Sequence, residues 1–110
     1  MPSYSSSQVV MAHYPFTNLS GTKVRPSVVV SAPHVSRDVF VVPLTGKITG
    51  LLPGEFVLSD WQQAGLNIAS AVKRGIFAMD ENVIVKLVGK LSVADAARLE
   101  QSLRDWLGLH

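Results

Sequence analysis

The hydrophobic pattern of this chain changes period only once. Up to Leu91 the apolar residues come in short runs rich in valine and aromatics, such as "QVVMAHY", "SVVVS", "DVFVVPL", "EFVLS" and "NVIVKLV". Glycine, proline, asparagine or serine bounds each run, the pattern of brief strands divided by turns. After Leu91 the spacing switches: Ala96, Leu99, Leu103, Trp106 and Leu107 recur every three or four residues and form one helical face. Ser92 is placed to cap that helix, Asp95 sits in its positive first turn, and Gly108 is suited to a left-handed end. The reading is a mainly β chain of five to seven short strands and one packing helix over 93–107. Strands so short and numerous favour a curled, barrel-like sheet.

The 110 residues read as one domain, 1–110, with residues 1–7 as a tail feeding the first strand. Strands are expected at Gln8 to Tyr14, Ser27 to Ser31, Asp38 to Leu44, within "EFVLS", and at Val83 to Val88. Ile68 to Met79 reads as one bent strand or two short ones. Pro26 cannot donate a ladder hydrogen bond and so marks the start of the second strand, after a polar loop over Pro15 to Val24. No apolar run approaches the roughly 18–20 residues that span a bilayer, and the N-terminus lacks the cationic, apolar start of a secretory signal. The chain has no cysteine, which removes disulfide and thiolate chemistry and suits a reducing cytoplasm. With a net charge of +2, any attraction for nucleic acid has to be focused on one face.

Familiar catalytic patterns are missing. The three histidines, His13, His34 and His110, have no helical i, i+4 spacing, so no metal site is expected. Neither a GxGxxG nor a Walker-type loop is present, so no cofactor is expected either, and no GxSxG elbow points to a serine hydrolase. Cations and hydroxyls at strand–loop junctions remain. Arg25 lies between the loop "TNLSGTKV" and three valines, where a guanidinium can be aimed from a fixed backbone at a phosphate. The alternative is a solvated surface arginine. Thr45 closes the third strand and is either a phosphate-binding hydroxyl or a turn-former. Lys23 and Lys47 share the loops beside these two residues. Lys73 and Arg74, adjacent in a strand pattern, are expected to point to opposite faces.

Taken together, "PFTNLSGTKVRPSVVVS", "VFVVPLT" and "SAVKRGIFAMDENVIVKLVGKLS" resemble the MazF/PemK (Kid) toxins of bacterial type II toxin–antitoxin modules, from about Gln8 to Leu109. The resemblance implies a small SH3-like β-barrel (MazF/CcdB-like) with a C-terminal helix, assembled as a homodimer. It implies metal-independent cleavage of single-stranded RNA, inhibition of translation and growth, and restraint by a cognate antitoxin with an acidic, disordered tail. The family arginine maps onto Arg25 and the family threonine onto Thr45, with Ser20, Lys23, Lys47 and Lys73 as RNA-contacting residues. Two departures stand out. The first loop holds no acid or histidine, and where relatives carry an Arg-x-Asp pair this chain has Lys73 and Gly75. A non-nucleolytic barrel toxin, acting on a protein as the gyrase-poisoning CcdB toxins do, or an inactive relative that binds only RNA or antitoxin, is the competing expectation. Surplus apolar residues in "LLPGEFVL" and "WLGL" either form a dimer patch or close the ends of the barrel.

Overall fold

The computed structural model describes residues 4–15 and 22–109. Strand β1 (Gln8–Pro15) pairs antiparallel with β2 (Thr22–Val29) on one side and with β7 (Ile84–Lys90) on the other. Next to β2 lies β3 (Asp38–Thr45), which is paired along its first half with β6 (Phe77–Asp80) and at its end with β5 (Ala71–Val72). The two-residue β4 (Phe56–Val57) adds to β5. A 3₁₀ turn at Glu81–Val83 leads into β7, and α1 (Val93–Leu107) ends the fold. The seven-stranded antiparallel sheet with a C-terminal helix is the mainly β architecture expected.

Both faces of the sheet bury apolar residues, and alternation along the strands separates two clusters. One face gathers Val9, Val28, Val42, Leu44, Val72 and Leu99 of the helix. The other gathers Val10, Ala12, Val29, Val39, Val41 and Met79. Because strand side chains alternate, a register slip of one residue would exchange the two sets, and burial on both faces fixes the pairing.

Closure of the sheet does not use another ladder. Turns between Asp60 and Leu66 press the backbone of Ala64–Gly65 onto Val88–Gly89 of β7. A methyl group on Gly89 would strike the Ala64 carbonyl, and one on Gly65, which has φ +89°, would strike that of Val88. Glycine at both positions lets two backbones meet where side chains would hold them apart.

The helix follows its local signals and adds two links that they do not show. The Ser92 side chain accepts from the Asp95 N–H at 3.2 Å, and Gly108 takes the left-handed cap with φ 69°. Asp95 is fully buried, and its carboxylate accepts the N–H groups of Ser59 at 3.0 Å and Asp60 at 2.9 Å. It therefore pins the turn after β4 to the helix rather than merely sitting at the helix start. Near the other end, the Ser102 hydroxyl donates to the Gly54 carbonyl and the Trp106 indole to that of Pro53. Leu107, expected on the packed face, is 55% exposed instead. Phe56 and Leu58 of the apolar surplus are core residues, while Leu52 and Leu109 stay exposed.

Several boundaries differ from expectation. The second strand begins at Thr22, not Ser27, so Arg25 and Pro26 lie inside it. Pro26 is tolerated because the ladder to β3 begins only at Ser27, leaving β2 an edge on that side. Ile68 to Met79 resolves into the two short strands β5 and β6, and β7 runs through Gly89 to Lys90. Of the tail at 1–7, Tyr4 to Ser7 are described, and Ser7 is tied in: its N–H donates to Val29 and its carbonyl accepts from Leu91.

Replacing Asp95 with alanine leaves two backbone donors of a partly buried turn without their acceptor, at a cost of about 1–2 kcal/mol, readable as a lower urea midpoint. A second carboxylate, Glu55, accepts the N–H groups of Arg74 and Leu52, each at 2.7 Å. These bonds, that of Arg74 first, hold its pKa below 4.5. Its stabilising contribution is thus fully present above about pH 4.5 and is lost as the pH falls through the lower folded value. The melting-temperature gap between the native chain and Glu55→Gln should be open at pH 7 and should narrow progressively as the pH falls below 4.5.

Candidate active site

The ladder between β2 and β3 comprises Ser27↔Pro43, Val28↔Val42 and Val29↔Val41, and no more. Beyond Ser27 the strands part, and cavities open on both faces of the gap. The larger, about 680 Å³, takes in Met11, Val24 and Pro26, which the register places on the Val28 face. The smaller, about 340 Å³, takes in Tyr14, Pro43 and Phe77 on the opposite face. Arg25 and Thr45 line both cavities. The structure thus brings together, across the gap, two residues twenty positions apart in sequence.

Each is held by its strand. Arg25 stands opposite Ala12 on β1, whose small side chain leaves room beside the guanidinium stem. Thr45 is the last residue of β3, opposite Ala71, and its Oγ1 accepts the Lys47 N–H at 3.1 Å. That bond fixes the threonine rotamer while its hydroxyl proton stays available to donate. Both residues are half-buried. Lys23 and Lys86 add positive charge along the larger cavity, and Lys73 does so in the smaller one. Among the described residues no Asp or Glu lines either cavity, so the charges they bring to the gap are all positive.

Other expected residues fall differently. Ser20 lies outside the described residues. Lys47 is exposed and lines neither cavity; its backbone, not its ammonium, serves the site. Lys73 and Arg74 lie past the end of β5 in a bend, so strand alternation does not sort them. The Glu55 carboxylate takes the Arg74 N–H, and the Pro43 carbonyl takes the Lys73 N–H at 2.9 Å. Together these bonds position the Lys73 backbone at the mouth of the smaller cavity.

Tyr14 and Ser27 were not singled out by sequence. They are buried at the back of the smaller cavity, joined by a hydrogen bond between their hydroxyls. Burial raises the Tyr14 pKa, against the lowering effects of the Ser27 bond and the Arg25 charge. The phenol therefore stays protonated at neutral pH. Phe77 packs edge-to-face on Tyr14, with ring centroids 5.5 Å apart. The signal for these residues lies in the cross-strand pairings, which no local pattern reveals.

Among the described residues no three His, Cys, Asp or Glu side chains gather as a metal site requires, and no helix is long and apolar enough to cross a membrane. The arrangement is a cationic notch at a break in the sheet, lined by one arginine and one threonine, and is suited to gripping an anionic ester.

Solved structures share this fold across nearly the whole chain. The toxin MazF-mt6 of Mycobacterium tuberculosis matches with TM-score 0.75 at 20% identity, over 94% of this chain and 98% of that one. A structure of the MazE–MazF complex of Deinococcus radiodurans gives TM-score 0.79 at 17% identity, over 97% of each chain. An endoribonuclease solved with its cognate antitoxin, from a mycobacterial species, gives 0.73 at 19% identity over 100% and 98%. No curated protein matches the chain. The sequence profile of one family covers residues 6–107, and on that match the chain belongs to the PemK-like, MazF-like toxins of type II toxin–antitoxin systems.

Proposed function

We propose that this toxin is a metal-independent endoribonuclease that cuts single-stranded RNA, mRNA included, in the cytoplasm and so stops translation and growth. The observation that carries the reading is the pairing of Arg25 with Thr45 across the gap between β2 and β3, at the junction of two cationic cavities. A phosphodiester lying across the gap has the guanidinium on one side and the threonine hydroxyl on the other. The adjacent ribose 2′-hydroxyl attacks phosphorus, the bond to the 5′ oxygen breaks, and a 2′,3′-cyclic phosphate and a 5′-hydroxyl result. Arg25 neutralises the charge that grows on the non-bridging oxygens, and Thr45 holds one of them by a hydrogen bond. With no carboxylate among the described residues lining either cavity, water removes the 2′ proton and returns one to the departing 5′ oxygen.

The relatives solved with antitoxins support a protein partner of the same kind. An acidic, disordered tail lying over Lys23, Arg25 and Lys73 would neutralise the groove and block RNA by the same contacts. Leu52, Leu107 and Leu109, left exposed where the turn before β4 meets the end of α1, supply apolar surface for a homodimer. In the competing reading, a toxin that acts by gripping another protein, the notch would be idle.

Cleavage of a mixed-sequence RNA in chelator decides between the readings. Discrete cuts are expected, falling roughly 10²–10³-fold in rate in Arg25→Ala and in Thr45→Ala while both variants stay folded. Growth arrest that survives Arg25→Ala, with no cuts, would favour the protein-binding toxin. An acidic tail peptide should bind the native chain with an affinity that falls as ionic strength rises. Binding indifferent to salt and to Lys23→Ala would count against the groove as its seat.

A further inference from the structure

The smaller cavity has features that gripping a phosphate does not require. Its volume of about 340 Å³ is at the lower end for ligand pockets, the size for one flat heterocycle rather than a dinucleotide. Two of its walls are aromatic. Tyr14 and Phe77 stand at 79° to one another, so a ring laid on one meets the edge of the other. Tyr14 is buried, whereas Phe77 is 46% exposed on a short strand, open to a partner rather than used up in the core.

Polar groups around the cavity are one-sided. Lys73 and Arg25 can only donate hydrogen bonds. The Tyr14 hydroxyl is engaged with Ser27, and the Pro43 carbonyl already accepts the Lys73 N–H. Thr45 Oγ1 accepts from Lys47, which leaves its proton to give. Among the described residues, a base presented to this pocket therefore meets donors and no side-chain carboxylate or amide oxygen. At the matching ring position uracil (O4) and guanine (O6) present a carbonyl oxygen to such groups, while cytosine (N4) and adenine (N6) present an amino group that these donors cannot accept.

We propose that the smaller cavity is a nucleobase pocket for the base adjoining the scissile phosphate, stacked on Phe77 and selected as a keto base, uracil or guanine, by the Lys73 ammonium. This deepens the nuclease reading and rests on it. The shared residues Arg25 and Thr45 would then hold the phosphate at the mouth of the pocket while the strand continues along the larger cavity over Lys23 and Lys86.

Two measurements on the full chain test the proposal. The first maps cut sites in a random-sequence RNA for the native chain, Phe77→Ala, Phe77→Tyr and Lys73→Met. Uracil or guanine is expected at one fixed position beside the cut. Phe77→Ala should erase that preference roughly 10-fold, Phe77→Tyr should keep it, and Lys73→Met should admit adenine and cytosine there. The second reads fluorescence anisotropy of uncleavable 2′-O-methyl oligonucleotides that differ only at that base, or of the four homopolymers if no cut occurs. Tighter binding of uracil or guanine, lost in Phe77→Ala, supports the pocket even if no cleavage is seen, in which case only the nuclease reading fails. Cutting with an unchanged preference in all three variants, an adenine or cytosine preference, or equal binding of all four bases overturns the proposal.

Discussion

The ladder between β2 and β3 stops at Pro26, the next residue of β2 that would turn its backbone toward β3. Pro26 has no N–H to give, so the pairing cannot be carried on through it without a lost rung. The strands separate there, and the backbone gap becomes the floor of the site. Had the ladder continued, Arg25 and Thr45 would sit within a paired sheet with no concave surface between them. The notch thus follows from one missing donor, and what is placed at its rim depends on where that donor is missing.

Keeping such a break open requires the rest of the sheet to be held by other means. Burial of valines on both faces fixes the register of β1, β2 and β3 up to the edge of the gap. The turn after β4 is fastened to α1 through Asp95 and to β7 through the close approach at Gly65 and Gly89. Glu55 and the Pro43 carbonyl tie down the bend that carries Lys73. Pro43 acts on the far edge of β3 from β2, where its carbonyl anchors the segment that carries Lys73.

The departures from the family pattern acquire a physical setting. With Lys73 and Gly75 in the bend after β5, the described residues bring cations and hydroxyls but no anion to either cavity. Such a field favours binding and charge stabilisation over proton abstraction by a side chain. It is also the field that an acidic peptide would seek, so substrate and inhibitor would compete for one set of charges.

Some of this was written in the chain order. The switch from strand-like runs to a helical period, the Ser92 cap and the Gly108 stop are local, each decided by residues within a turn or two, and they place α1 over Val93–Leu107. Local rules also misled: Pro26 reads as a strand start because sequence does not show which side of β2 lacks a neighbour. The meeting of Arg25 with Thr45, the Tyr14–Ser27 bond, the Phe77 wall and the turn of Asp95 toward Ser59 and Asp60 were decided only by tertiary structure. Those contacts depend on which residues stand opposite one another between distant strands. That register is set by the simultaneous burial of both faces, a property of the assembled sheet and of no single segment.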